Sequence, residues 1–312
     1  MSTPREDLLF LISTPLYLVI ILLEVFISNW KDTSVYTWRN TFENIYLTIL
    51  NGSLDLAFRM VYVFILATCY QHKIMQINNV VFYWAVLVLA EDFVFYWLHR
   101  MEHFVRFFWA VHVTHHSTAE FNFTVGFRSS VFQPLYRFVF FIPLAFMGFS
   151  AIDIVFAYSL TQTWGIFVHT KMINKMGWLE KIIVTPSHHR VHHASNPKYL
   201  DKNMGMFLII WDKCFGTFQE ELPAEAYEPL RYGLTTNIEN PNPVNLVLHE
   251  WKNIRTDIKQ PLSFKDKLGY IFRPPGWSHD GSRMTSGQMR AKEDGRESET
   301  PSAQSYKYAF GK

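Results

Sequence analysis

The sequence predicts an all-α fold: a multi-pass bundle of transmembrane helices carrying a cytoplasmic helical cap, with a histidine-rich site for two metal ions. Three observations lead there. Several apolar runs are long enough to cross a bilayer, which takes about 20 residues. Charged residues make up only 18% of the 312-residue chain, below the roughly 25% of an average soluble protein. Ten of the 13 histidines fall into groups spaced three and four apart or lie at the end of an apolar run.

The apolar runs come first along the chain. Leu8–Ser28 can span a bilayer, although Pro15 and Glu24 interrupt it. Residues 45–70 form a second run. It contains Asp55 and Arg59, four apart and so able to pair on one helical face. A third run, 80–98, carries Glu91 and Asp92. The fourth, 131–169, is long enough for two spans, with a hairpin at Gly148, Phe149 and Ser150. Leu8–Ser28 exceeds the apolar core of a signal peptide and has no small-residue cleavage pattern after it. Arg100, Arg106, Arg128, Lys171, Lys175 and Lys181 flank the histidine-rich segments, so the positive-inside rule turns those segments to the cytoplasm. A net charge of +2 without a dense basic tract argues against a nucleic-acid partner. The two cysteines, Cys69 and Cys214, form neither a disulfide framework nor a zinc motif.

The histidines make the chain readable. His99 and His103 stand in LHRMEH, His112, His115 and His116 in HVTHH, and His188, His189, His192 and His193 in HHRVHH; His169 ends the last apolar run. Residues three and four apart share a helical face, so each group can aim several imidazoles at one point, and neutral imidazole is the commonest side-chain metal ligand. Ten such groups exceed the four ligands of a tetrahedral zinc and suit two metals with an open position for a reactant. His72, His249 and His279 lie outside the pattern and are ordinary polar residues. HRMEH is also an inverted zinc-peptidase motif, with Glu102 as base, but that would leave both HxxHH groups without a purpose. Imidazole suits zinc, copper, iron and nickel alike, so ligand type does not name the metal.

LHRMEH, HVTHH and HHRVHH, in that order and between apolar runs, resemble the fatty acid hydroxylase and sterol desaturase superfamily, whose members are membrane di-iron oxygenases. The likeness runs from about Val80 to Phe218 and includes DKNMGMFLIIWDKCFGTF as well as PSHHRVHH. FVHTKMIN followed by TPSHHRVHH is most similar to the alkylglycerol monooxygenase branch, which cleaves ether lipids with the help of tetrahydrobiopterin. Animal members of that branch are longer and add apolar spans where this chain, after His249, is polar. The resemblance implies metal ligation by His99, His103, His112, His115, His116, His189, His192 and His193. It makes His169 a further ligand, and His188 either a ligand or a hydrogen-bond partner of one.

The implied function is oxygen-dependent hydroxylation of a lipid at two iron ions, with dioxygen as co-substrate. The implied location is an integral membrane one, in the endoplasmic reticulum or a bacterial inner membrane. Electrons would come from tetrahydrobiopterin or a separate reductase, because no iron–sulfur cysteine cluster, haem motif or dinucleotide fingerprint is present. Asp92, Glu102 and Glu120 are candidates to orient the imidazoles. Phe93, Phe95, Tyr96 and Trp97 are candidates to line the lipid channel. Residues 1–79 are then N-terminal spans, 80–220 the catalytic domain, 221–277 a polar extension and 278–312 a disordered tail. A sterol or fatty-acyl desaturase or hydroxylase of the same superfamily fits the motifs equally. A membrane metal transporter or sensor fits less well, since transport sites sit near the bilayer midplane and these histidines cluster at the ends of the runs.

Overall fold

The computed structural model describes residues 4–31, 35–238 and 241–295. Among them the fold is helical throughout, with two isolated β-bridges and no strand. Three long helices come first: α1 (Pro4–Trp30), α2 (Trp38–Gln71) and α3 (Val80–Phe104). All three are long and apolar enough to cross a membrane, so the chain is an integral membrane protein. Their polarity is turned inside out. The buried residues of α1 are Glu6, Ser13, Tyr17, Glu24 and Ser28, while Leu11 and Leu22 are 72% and 66% exposed. Outward leucines suit a hydrocarbon solvent, and inward polar groups must then find partners within the bundle. They do: Arg59 pairs with Asp55 at 2.9 Å, as their spacing predicts, and with Glu6 at 3.2 Å, while Arg137 closes on Asp55 from the far side. Pro15 faces outward, and α1 continues through it.

Next come α4 (Arg106–His116), α5 (Arg137–Phe146), α6 (Ala151–Phe167), α7 (Pro186–His193), α8 (Ile210–Phe215), α9 (Pro243–Ile258), α10 (Phe264–Phe272) and α11 (Ser286–Glu293). The fourth apolar run does not make two full spans. Its helices α5 and α6 have 10 and 17 residues, about 15 and 26 Å at 1.5 Å per residue. The run opens with one 3-10 turn, Gln133–Leu135, before Arg137, and Gly148 at φ +96° reverses the chain. Ser150 then caps α6 by accepting from Asp153 N, so the hairpin lies where the sequence predicts it. The run is apolar because it forms core: Phe141, Leu144, Phe149 and Ile154 pack with Leu66, Leu87, Phe95 and Leu98.

Hydrogen bonds from the helix ends position the site. Glu24, near the C-terminal end of α1, accepts from Phe123 N at 2.9 Å and from the Thr170 hydroxyl. Asn44, near the N-terminal end of α2, donates to Thr124. His99 and His103 lie in the last two turns of α3. These three ends therefore meet at one end of the bundle, where α4, α7 and the C-terminal segment close over them.

The tail expected to be disordered from residue 278 is ordered as far as it is described. Thr285 and Gln288 form a capping box at the start of α11, a local signal that offsets the polar composition. Arg283 pairs with Asp257 at 2.7 Å, and Arg290 bonds the carbonyl of Leu200. Residues 296–312 of the expected tail lie outside the described residues.

Candidate metal centre

Nine of the ten candidate histidines converge, in two neighbouring groups. His99, His103, His112, His116 and His192 form one; His115, His169, His189 and His193 form the other. Within each group the ligand atoms lie within 4.8 Å of one another. The helices explain the division. On α4, His112 and His116, four apart, face the first group, while His115 points to the second. On α7, His189 and His193 face the second group and His192 the first. Each HxxHH motif is thus shared, and the groups touch: the rings of His116 and His193 stack at 4.4 Å.

The tautomers follow from the partners. His99 Nδ1 lies 2.8 Å from the Met204 carbonyl, His115 Nδ1 2.8 Å from that of Arg128, His169 Nδ1 2.6 Å from that of Gly165 and His192 Nδ1 3.0 Å from that of Lys202. A carbonyl can only accept, so each Nδ1 carries the proton and each Nε2 presents a lone pair. Those of His99 and His169 meet further imidazole nitrogens. His99 Nε2 is 3.1 Å from His112 Nε2, and His169 Nε2 is 2.9 Å from His189 Nε2 and 3.1 Å from His193 Nε2. Metal–nitrogen bonds of about 2.0–2.1 Å set neighbouring ligand nitrogens about 3.0–3.4 Å apart. The buried Nε2 atoms of His103 and His192 have no hydrogen-bond partner. Imidazole nitrogens converging at ligand spacing, two of them buried without a hydrogen-bond partner, make a donor set that fits a metal ion in each group.

Burial favours the neutral form of the seven imidazoles outside α3. It pushes His115 down to about 4, with the charge of Arg128 adding to the effect. It holds His112, His116, His169, His189, His192 and His193 well below the ordinary histidine value, helped by neighbouring histidines that would repel a proton. Neutral imidazole is the form that binds metal.

The tenth histidine stands apart. His188 Nδ1 accepts from Thr185 N at 3.3 Å, closing the capping box that starts α7, and its ring packs on Phe218. Of the three carboxylates, only Glu102 meets a histidine of the two groups. Its Oε2 lies 3.2 Å from His112 Nδ1, which is also 3.2 Å from Ser130 Oγ, and Tyr136 and Gln133 donate to its other oxygen. Asp92 is taken up by Phe207 N, Leu208 N and the Trp211 indole. Glu120 accepts from Asn40 and Asn122. Sequence reasoning passed over Asp201, whose Oδ1 lies 3.3 Å from His103 Nδ1. It also passed over Asp212, which accepts from Met204 N and Gly205 N and so fixes the carbonyl that holds His99. Asp201 and Asn203 both adopt positive φ, 53° and 55°, which Asp and Asn tolerate better than most residues. Of the four predicted channel aromatics, Phe95 lines a cavity reaching the histidines, while Phe93, Tyr96 and Trp97 pack against Phe215.

Comparison with known proteins agrees with this geometry. Residues 84–217 match the fatty acid hydroxylase family. The chain is 40% identical over 203 residues to alkylglycerol monooxygenase of Homo sapiens, covering 64% of this chain and 44% of that protein, and 35% identical over 203 residues to that of Caenorhabditis elegans, covering 62% and 39%. It is 26% identical over 167 residues to a Delta(7)-sterol 5(6)-desaturase of Gibberella zeae, covering 49% and 48%. The chain thus spans less than half the length of each of these three relatives. No solved structure gives a significant match. With its two histidine groups and these relatives, the chain carries, at residues 84–217, a domain of the fatty acid hydroxylase family.

Proposed function

We propose that this chain is a membrane-bound, di-iron lipid monooxygenase that hydroxylates an ether lipid of the alkylglycerol class. The observation that carries the reading is the pair of converging histidine groups at the wall of a cavity among the membrane helices. That cavity, about 520 Å³, touches His99, His112, His115 and His169 and is walled by Phe95, Phe127, Ile166 and Met206. A volume of this order suits a small-molecule site. Its lining also includes the polar Asn51, Ser159 and Gln133, so an amphiphile can set its alkyl part against apolar side chains and its hydroxyls against polar ones.

Two irons bound by the nine histidines would supply oxidation of a C–H bond with dioxygen, chemistry beyond any side chain. The protein's part is to hold and orient. The carbonyls of Met204, Arg128, Gly165 and Lys202 fix the imidazole rings, and Glu102 and Asp201 add carboxylates to His112 and His103. We assign those two carboxylates a positioning role, Asp92 the support of the 204–208 loop, and His188 the capping of α7. The lysines and arginines around the cap support a cytoplasmic site by the positive-inside rule, with electrons coming from a reduced pterin or a separate reductase. The higher identity to alkylglycerol monooxygenases than to sterol desaturases supports the ether-lipid reading over desaturation.

Hydroxylation beside an ether oxygen gives a hemiacetal, which breaks down to a fatty aldehyde and glycerol without further catalysis. Membranes containing the protein, given an alkylglycerol, dioxygen and tetrahydrobiopterin, should release aldehyde. Absence of aldehyde alongside oxidation of a sterol or acyl chain would move the assignment to the desaturase side of the superfamily.

A further inference from the structure

A second cavity, about 800 Å³, reaches the same histidines from the other side. It touches His103, His116, His192 and His193, whereas the cavity among the membrane helices touches His99, His112, His115 and His169. Among the described residues, none lines both. Two molecules can therefore approach the centre at once without sharing a path.

The wall of this cavity is built by residues 233–289, the segment beyond the family domain, together with α4. Its chemistry differs from that of the membrane-side cavity. Thr235, Thr236, Asn237 and Asn253 are exposed at the rim and supply hydroxyls and amides. Its charges balance, with Arg106, Lys252 and Arg283 set against Asp201, Glu250 and Asp257: Arg106 holds Glu250 at 2.6 Å and Asp257 at 2.6 Å, Asp257 also takes Arg283, and Lys252 bonds the Asn245 amide oxygen. A wall that is polar yet locally neutral suits a water-soluble guest recognised by hydrogen bonds rather than by net charge. Trp109 lines the inner end, and its ring lies 5.3 Å from that of His103 and 5.7 Å from that of His116. An aromatic face there offers a stacking surface for a flat ring, in contact with two histidines of the first group.

Resting on the monooxygenase reading above, we propose that this cavity is the binding site of the electron donor, a small, uncharged, hydrogen-bonding reduced heterocycle, while the lipid occupies the membrane-side cavity. The balance requires such a molecule. Inserting one oxygen atom into a C–H bond and releasing the other as water consumes two electrons and two protons, so a donor DH2 leaves as D: RH + O2 + DH2 gives ROH + H2O + D. The segment 233–289 would thus let a diffusible donor reach the centre from the water side while the lipid stays in the membrane.

The test uses tetrahydrobiopterin as probe and two rim variants, Thr236→Trp and Asn253→Trp, at exposed positions that tolerate a large side chain. Gly52→Phe is their counterpart in the other cavity, where a side chain meets nothing within 4 Å. Anaerobic reduction of the purified ferric protein, followed by its visible absorbance and needing no lipid, is the first readout. The KM for lipid is the second. The rim variants should raise the tetrahydrobiopterin concentration needed for half-maximal reduction by about tenfold, and leave the lipid KM within about twofold, as expected when binding of one reactant alone is lost. Gly52→Phe should do the reverse. Rim variants that reduce like the wild type, or that raise the lipid KM instead, overturn the assignment. So does wild-type protein that dithionite reduces and tetrahydrobiopterin does not. Normal reduction by tetrahydrobiopterin, lost in the rim variants, in a protein that oxidises no lipid would instead overturn the functional reading and leave the donor site standing.

Discussion

Replacing Asp201 should loosen one metal position and spare the other. Asp201 Oδ1 lies 3.3 Å from His103 Nδ1, and Arg290 stands 3.7 Å from its other oxygen. In Asp201→Asn the side chain keeps its shape and an acceptor oxygen, and asparagine tolerates the positive φ of 53°. What is lost is the charge. A hydrogen bond to a charged group contributes about 1.5–3 kcal/mol against about 0.5–1.5 for a neutral one, so the variant should forfeit roughly 1–1.5 kcal/mol of ligand orientation. That corresponds to about a five- to tenfold weaker metal affinity in the group containing His103, at the lower edge of the 10–100-fold range for partners of metal ligands. Asp201→Ala should cost more, because it leaves the buried Nδ1–H unpaired and puts alanine in a left-handed backbone. The assay is iron retained against a graded chelator, with thermal unfolding of the metal-free protein as control. Asp201→Asn should lose about half its iron at chelator concentrations that leave the wild type full, with an unchanged unfolding midpoint. Wild-type retention of both irons, or equal loss from both groups, would refute the link from Asp201 through His103 to one position.

Other outcomes follow from the same geometry. His115→Ala and His193→Ala should abolish activity and lower bound iron, whereas His188→Ala should keep its iron and lose thermal stability, since His188 caps α7 rather than joining either group; iron analysis of the three variants separates the roles. The seven histidines of the two groups that lie outside the long helices have folded-state values depressed below their ordinary one, His115 to about 4. The stability they contribute is therefore full above about pH 6.5 and is lost as pH falls toward 4, because only the unfolded chain takes up the protons. Asp212, pushed up to about 6 by burial, works the other way. The unfolding midpoint of the metal-free protein should fall across that window and be flat above pH 7; a midpoint level from pH 7 to 4.5 would contradict the burial argument. Ending the chain after Trp277 should lower activity, because Arg283 and Arg290 then no longer brace Asp257 and Asp201.

Much of the centre was legible because its information is local. An i, i+4 pair such as His99 and His103 shares a face on any helix, and the position of the groups beside apolar runs put them at one end of a bundle. The division of each HxxHH motif between two groups was not legible. It depends on how α4 and α7 cross, and spacing alone treats His112, His115 and His116 alike. His188 had a readable clue: three residues after Thr185 it occupies the capping-box slot. Asp201 and Asn203 lay in a DKN run whose left-handed backbone no periodicity reports. The fourth apolar run misled for a physical reason. Hydrophobicity measures transfer out of water and cannot distinguish a lipid-facing helix from Phe141 and Leu144 buried in a core. In the tail, composition outweighed one capping box and the pairing of Arg283 with Asp257, a contact 26 residues back along the chain.

The most direct test of the central claim is the metal content of active, purified protein. Two histidine groups of five and four members, each with converging imidazole nitrogens, predict about two iron atoms per chain, both lost together with activity on chelation and both restored by ferrous iron. Active protein with a single metal atom per chain, or with none, would contradict the account.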